Sequence, residues 1–338
     1  MLRAVLARLE GEPARLEPWS LDQVQLTGLA TGLTALAGSL DLFAEASPDV
    51  VAFVAEQREQ VTERVRRFSE LLPTVMAALK QHAVPAVAVK GAALLQGVWG
   101  IEGTRPMADI DLIVPVGQRS QAAAALIAGG LRAIESTDYE DTFLSWGNGD
   151  VGRTDGESAD HNGRVEVHPG WIEFLHGYTV RGFAVESMPF DHEALTVHVL
   201  GHLASTVVRA EVRSVNVVDV WWCARRPIDW QRASQLMALT DPRLTGPGLW
   251  MVQQLMPGLL PDAVVAREIA RLPRAARHLL GTASPADVLR DPNSRTSFRW
   301  RQAFTKSLRE RIAVVDQMVW PHGSRSVAAA ARRLVGRR

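Results

Sequence analysis

The sequence predicts an α+β fold: a compact α/β unit between two helical regions. Three observations predict it. Residues 1–80 carry apolar side chains at three- and four-residue spacing. Between Pro85 and Trp171 this gives way to short runs rich in β-branched residues, separated by glycine-containing turns. After Phe190 the helical spacing returns, broken by Pro/Gly stretches such as PRLTGPG and LMPGLLP. The expected regions are therefore 1–80, 81–172 and 173–338.

In the first region LDQVQLTGLATGLTALAGSLDLF reads as helix. VVAFVAEQREQVTERVRRFSELLPTVMAALKQH reads as a second helix, with Val61, Val65, Phe68, Leu71, Leu72 and Val75 as its buried stripe. In the second region AVAV (86–89) is a strand, Lys90-Gly91 a turn and AALLQGV a short helix. GIEGTRP is a loop, and ADIDLIV (108–114) is the clearest strand of the chain. VGQRSQAAAALIAGG is a helix ending at Gly129-Gly130. LRAIES and TFLSW are weaker strands, 147–163 is a polar, glycine-rich loop, and RVEVHPGW (164–171) is a strand closed by Pro-Gly. In the third region DHEALTVHVLGHLASTVVR and VRSVNVVDVWWCARR read as helices.

Composition narrows the class. Lys plus Arg number 37 and Asp plus Glu 37, so the net charge is zero. That balance argues against a chain built chiefly to coat nucleic acid or an anionic membrane. The stretch 295–338 is the exception, with eleven basic and two acidic residues. It offers either a polyanion contact or a solvated helix face. A single cysteine, Cys223, allows no internal disulfide and fits a reducing compartment, most simply the cytoplasm. The N-terminal MLRAVLARLEGEPARLE is charged throughout and does not read as a signal peptide. No apolar run reaches the roughly 20 residues of a membrane span; the nearest, 83–101, contains Pro85, Lys90 and Gln96.

Two aspartates interrupt the clearest strand. Alternation sends Ile110, Leu112 and Val114 to one face, and Asp109 and Asp111 to the other. Adjacent carboxylates repel and raise each other's pKa unless a cation lies between them. Two carboxylates with substrate phosphates and water are a usual way to hold magnesium. In RVEVHPGW the same alternation puts Glu166 and His168 together, opposite Val165 and Val167. If the two strands are neighbours, Glu166 completes a three-carboxylate cluster able to hold one or two metal ions. The plain alternative is a solvated strand edge.

VKGAALLQGVWG…TRPMADIDLIV resembles the nucleotidyltransferase-fold proteins of an uncharacterised bacterial group related to DNA polymerase β. The resemblance rests on Lys90, Gly91, Arg105, Met107, Asp109, Asp111 and Leu112. It extends to Glu166 and His168 in VEVHPGW, and to His202, Asp219, Ile228, Asp229 and Trp230 beyond. Lys-Gly here replaces the superfamily's Gly-Ser. The resemblance implies a small mixed-sheet core and a metal-dependent nucleotidyl transfer. It implies Mg2+ or Mn2+ held by Asp109, Asp111 and Glu166, ATP or another NTP as substrate, and an acceptor hydroxyl or phosphate. The acceptor is open: a protein side chain, a peptide, a small molecule or an RNA end. A phosphotransferase using the same metal site, or a non-catalytic nucleotide- or partner-binding module of toxin–antitoxin type, are the alternatives.

Each residue has a role and a plainer alternative. Lys90 would neutralise phosphate, or be a solvated turn lysine. Gly91 and Ala92 would offer backbone N–H groups to the nucleotide. Arg105 would clamp phosphate through its planar fork, or pair at the surface with Glu102. Glu166 would be the third ligand or the base for the acceptor hydroxyl, or a plain strand residue. His168 and His202 are candidates to orient substrate. His198 and His202 have a spacing that permits zinc, but a packed histidine bonded to a residue such as Asp219 is the expected state. Trp221, Trp222, Trp230 and Trp250 are expected in the core.

Overall fold

In a computed structural model, the described residues are 1–145, 163–175, 178–184, 190–289 and 296–319. The expected loop at 147–163 lies outside them except for Gly163, whose carbonyl accepts from the Ser145 N–H at 2.8 Å. Of the basic stretch 295–338, Arg295 and everything after Val319 also lie outside.

The elements run in order α1 (Leu2–Leu9), α2 (Leu21–Thr31), α3 (Thr34–Ser39), α4 (Pro48–Gln81), β1 (Val87–Val89) and α5 (Lys90–Leu94). There follow β2 (Asp109–Val114), α6 (Arg119–Ala128), β3 (Arg132–Ser136), β4 (Asp141–Leu144), β5 (Arg164–Pro169), β6 (Ile172–Phe174) and β7 (Thr179–Arg181). The rest is helical: α7 (His192–Arg209), α8 (Ser214–Ala224), α9 (Trp230–Ala238), α10 (Gly246–Leu255), α11 (Asp262–Ala270), α12 (Arg274–Thr282), α13 (Thr296–Ala303) and α14 (Leu308–Val319). The α+β class and the mixed sheet are as the sequence predicts. No helix among the described residues is long and apolar enough to cross a membrane.

The chain divides into two compact units. The first comprises Met1–Trp171, Ala184–Val199 and Arg213–Ala233. The second comprises Ile172–Phe183, Leu200–Val212 and Ser234–Arg338.

In the first unit the single helix expected over 21–43 is two, α2 and α3. Ser20 and Gln23 form a capping box at the start of α2. Gly32, at φ 66°, ends it in the left-handed conformation that glycine adopts without strain. Pro48 opens α4 at a position where its missing N–H costs nothing. The buried face of α4 contains the predicted stripe and adds Arg64.

Five strands form one sheet in the order β1-β2-β5-β4-β3. β2 and β5 are parallel; the other pairs are antiparallel. Ile110, Leu112 and Val114 of β2 and Val165 and Val167 of β5 are fully buried on one face. Phe68, Leu72, Val75 and Leu79 of α4 and Ala122, Ala125 and Leu126 of α6 share their core. Fully burying each of the Val, Leu, Ile and Phe side chains contributes roughly 1.5–3 kcal/mol. That packing fixes which face of β2 carries Asp109 and Asp111.

The second unit holds the β6–β7 hairpin and the helices from α10 onward. Its buried charge is paired internally. Arg243 meets Asp241 and Glu310 at 2.9 Å each and lies 5.2 Å from the Tyr178 ring. Glu268, 1% exposed, meets Arg267 and Arg271 and accepts from the Thr245 hydroxyl.

Candidate active site

The site is built by strand register. Asp111 pairs directly with Glu166, and Asp109 with Arg164. Neighbouring strands lie about 4.8 Å apart, whereas residues i and i+2 of one strand are about 6.6 Å apart. Asp111 is therefore nearer to Glu166 than its position beside Asp109 in sequence suggests. On the other side, Thr142 of β4 pairs with Glu166. Residues paired across strands share a face, so Thr142 joins the acidic one.

Lys90 and His168 both meet Asp111, which is 3% exposed. Lys90 Nζ donates to Asp111 Oδ1 at 2.7 Å, and His168 Nε2 lies 3.1 Å from the same oxygen. His168 Nε2 is 3.8 Å from Glu166 Oε2, and its Nδ1 is 3.9 Å from Glu140 Oε2. Arg164 pairs with Glu166 Oε1 at 2.7 Å. Burial opposes charge on Asp111, but Lys90 and His168 outweigh it and hold its carboxyl below the usual range. Burial, then the charge of Asp111, pushes the Asp109 carboxyl up. Burial, then the charges of Asp109 and Asp111, pushes Glu166 up to about 9. Asp111 is thus the member of the face most readily held as a carboxylate.

The donor set fits a divalent cation. Asp111, Glu166 and His168 each offer one ligand atom, and the three atoms lie within 4.8 Å of one another. Thr142, fully buried beside Glu166, has a hydroxyl with no hydrogen-bond partner. Asp109 is on the same face but outside that group. Among the described residues no other set of three His, Cys, Asp or Glu side chains is so arranged.

The turn before this face is held from below. Lys90 follows β1 at φ 50°, a left-handed conformation that a non-glycine residue adopts only at a cost. Gly91 and Ala92, in the first turn of α5, are both buried. A Cβ on Gly91 would overlap the Arg105 guanidinium. Arg105 differs from both sequence expectations: it is 7% exposed and forks onto Asp219, Nε to Oδ1 at 2.8 Å and Nη2 to Oδ2 at 2.7 Å. Its fork is thus filled by a carboxylate rather than open to phosphate, and Glu102 stays exposed. Trp99 lies 5.8 Å from the Arg105 guanidinium. Arg64 donates to the Met107 carbonyl at 2.9 Å, fixing the backbone two residues before Asp109.

The helical histidines have other neighbours. His198 packs 4.7 Å from the Trp171 ring. His202 lies in the second unit, with Nδ1 3.9 Å from Glu173 Oε1. Asp219, expected as a histidine partner, belongs to Arg105. Trp221 and Trp250 are buried as expected, while Trp222 and Trp230 are half-buried.

Sequence reasoning missed Arg164, Glu140, Thr142 and Arg119. Arg164 was within reach, because the alternation that joins Glu166 to His168 includes it. Glu140 and Arg119 carry no local signal. Arg119 of α6 pairs with Asp141 at 2.7 Å and donates to the Glu140 carbonyl at 2.9 Å, which sets the turn that presents Glu140.

No curated protein and no solved structure matches the chain. One family model does, described as an uncharacterised nucleotidyltransferase. It matches residues 21–257, well over half of the chain, and takes in the whole sheet and the Lys90–Asp111–Glu166–His168 face. The chain belongs to this uncharacterised nucleotidyltransferase family.

Proposed function

We propose that the protein is a metal-dependent nucleotidyltransferase that moves an NMP group, from ATP in the first instance, to an acceptor hydroxyl or phosphate. The observation that carries this reading is the parallel register that sets Asp111 beside Glu166 in a member of a nucleotidyltransferase family. Asp111 and Glu166, with Asp109 from the same face, would hold Mg2+ or Mn2+; when bound, the cation supplies Lewis-acid polarisation and charge neutralisation at the triphosphate.

The chain's own residues supply the rest. Lys90 has an ammonium within reach of Asp111 and offers a cation to the phosphates. The backbone N–H groups of Gly91 and Ala92 add weaker positive potential. The acceptor oxygen bonds to the α-phosphorus and the bond to the pyrophosphate oxygen breaks; Glu166, where it serves as base rather than as third ligand, takes the acceptor's proton. Arg105 acts indirectly, by bracing Gly91 and the loop into β2. The acceptor class is a protein side chain, a peptide, a small molecule or an RNA end. The same carboxylates would serve attack at the γ-phosphate.

One observation favours a second reading, a non-catalytic binding module. Lys90 and His168 already satisfy Asp111, so the face can stand without a metal. Calorimetric titration of ATP with and without Mg2+ separates the readings. Metal-dependent binding that disappears in Asp109→Asn and Asp111→Asn supports the enzyme; binding unaffected by either variant supports the module. Incubating cell lysate with α-labelled and then γ-labelled ATP distinguishes nucleotidyl from phosphoryl transfer.

A further inference from the structure

We infer that His168 is an inner-shell metal ligand, and that the resulting Asp111–Glu166–His168 set selects Mn2+ or a similar first-row cation over Mg2+. This rests on the reading that the acidic face binds a divalent ion, and it changes which residues do so.

Two donors bound to one cation at about 2.1 Å, at angles between octahedral and tetrahedral, stand about 3.0–3.4 Å apart. His168 Nε2 is 3.1 Å from Asp111 Oδ1 and 3.8 Å from Glu166 Oε2. The first separation falls in that range, the second lies about 0.4 Å beyond it, and all three ligand atoms lie within 4.8 Å of one another. Asp109 is two residues along β2, pairs in register with Arg164, and is outside the convergent group. The aspartate pair conspicuous in sequence stays on one face, but it is the imidazole that joins Asp111 and Glu166 in the convergent group.

The surroundings of His168 fit a ligand better than a substrate contact. The residue is 8% exposed, and its Nε2 faces two carboxylates rather than solvent. Its Nδ1 faces the Glu140 carboxylate at 3.9 Å. A carboxylate bonded to the far ring nitrogen is the usual outer partner of a metal-bound histidine; Glu140 stands on that side, beyond direct hydrogen-bond distance. Arg119 holds that partner's turn through Asp141 and the Glu140 carbonyl.

The donor chemistry sets the preference. Mg2+ favours oxygen ligands and gives up water reluctantly, whereas imidazole suits the later first-row metals. Replacing one carboxylate by imidazole also lowers the negative charge of the shell. A bound cation takes the Asp111 lone pair on which Lys90 rests.

Full-length protein titrated with Mn2+ or Mg2+ alone tests this, followed by pulsed EPR of the Mn2+ form. Expected are tighter binding of Mn2+ than Mg2+, and a directly coordinated 14N signal from one imidazole. His168→Gln removes that signal and weakens Mn2+ by more than the ~10–100-fold typical of lost outer-shell partners, with a smaller effect on Mg2+. Glu140→Gln keeps the 14N signal and weakens Mn2+ within that range. Mn2+ bound with no 14N coupling overturns the inference and leaves the nucleotidyltransferase reading standing. Failure of wild-type protein to bind either ion, with or without a non-hydrolysable ATP analogue, overturns both. The wild-type spectrum decides even if His168→Gln does not fold.

Discussion

At the scale of the residue, the face around Asp111 is a balance of charge. Lys90 neutralises the Asp111 carboxylate at 2.7 Å, and Arg164 lies 2.7 Å from the Glu166 carboxyl. Glu166 keeps its proton to about pH 9, whereas in an unfolded chain it would lose it near about 4.3. Between those values the folded state binds more protons, so stability falls as pH rises. Metal-free protein is therefore expected to unfold at lower urea concentration at pH 8.5 than at pH 6.5. Glu166→Gln should flatten that difference; an equal slope in the variant would show that Glu166 is not its source. A divalent cation, which needs the ionised form, should reverse the trend and release protons as it binds. Lys90 yields a second prediction. Its φ of 50° costs a non-glycine side chain roughly 1–2 kcal/mol. Lys90→Gly and Lys90→Ala both remove the ammonium, but only Gly removes the strain. The Gly variant should be more stable than the Ala variant by about 1 kcal/mol in chemical denaturation.

At the scale of the element, the strands and their faces were legible because alternation is local. I-L-V and V-V mark the core side of β2 and β5, and the acids follow on the other. Their partnership is not local. Nothing in ADIDLIV says that Asp111 rather than Asp109 faces Glu166, since that depends on a register set by packing on α4 and α6. The break between α2 and α3 was signalled by Gly32, but apolar spacing on both sides masked it. The turn at Gly91 is the element most sensitive to a small change. Its α-carbon lies against the Arg105 guanidinium and the Met107 side chain. Gly91→Ala is expected to cost about 1–3 kcal/mol through overpacking, with weaker metal binding as Arg105 and the loop into β2 shift. A melt within about 0.5 kcal/mol of wild type, the usual range for neutral surface changes, would show that the loop yields freely.

At the scale of the whole molecule, what the sequence could not disclose is contact between distant segments. The first unit is assembled from three stretches of chain and runs through residue 80 without a break in its core. Arg105 and Asp219 are 114 positions apart, yet form a bidentate pair within it. An arginine before an acidic strand reads locally as a phosphate ligand, and only the fold brings in the α8 carboxylate. Both partners are nearly inaccessible, at 7% and 2% exposure. Removing one side of such a pair strands the other charge and costs about 3–5 kcal/mol, while replacing both by apolar groups is often neutral. Asp219→Ala should therefore destabilise the protein severely, and Arg105→Met with Asp219→Leu should recover most of the loss. In the double variant the strand register is retained, because the core face of β2 does not involve either residue. Divalent cation binding should then survive in proportion to fold stability, measured by calorimetry beside thermal melts. A double variant that is stable but no longer binds the cation would mean that Arg105 contributes charge to the site directly rather than bracing the turn beneath it.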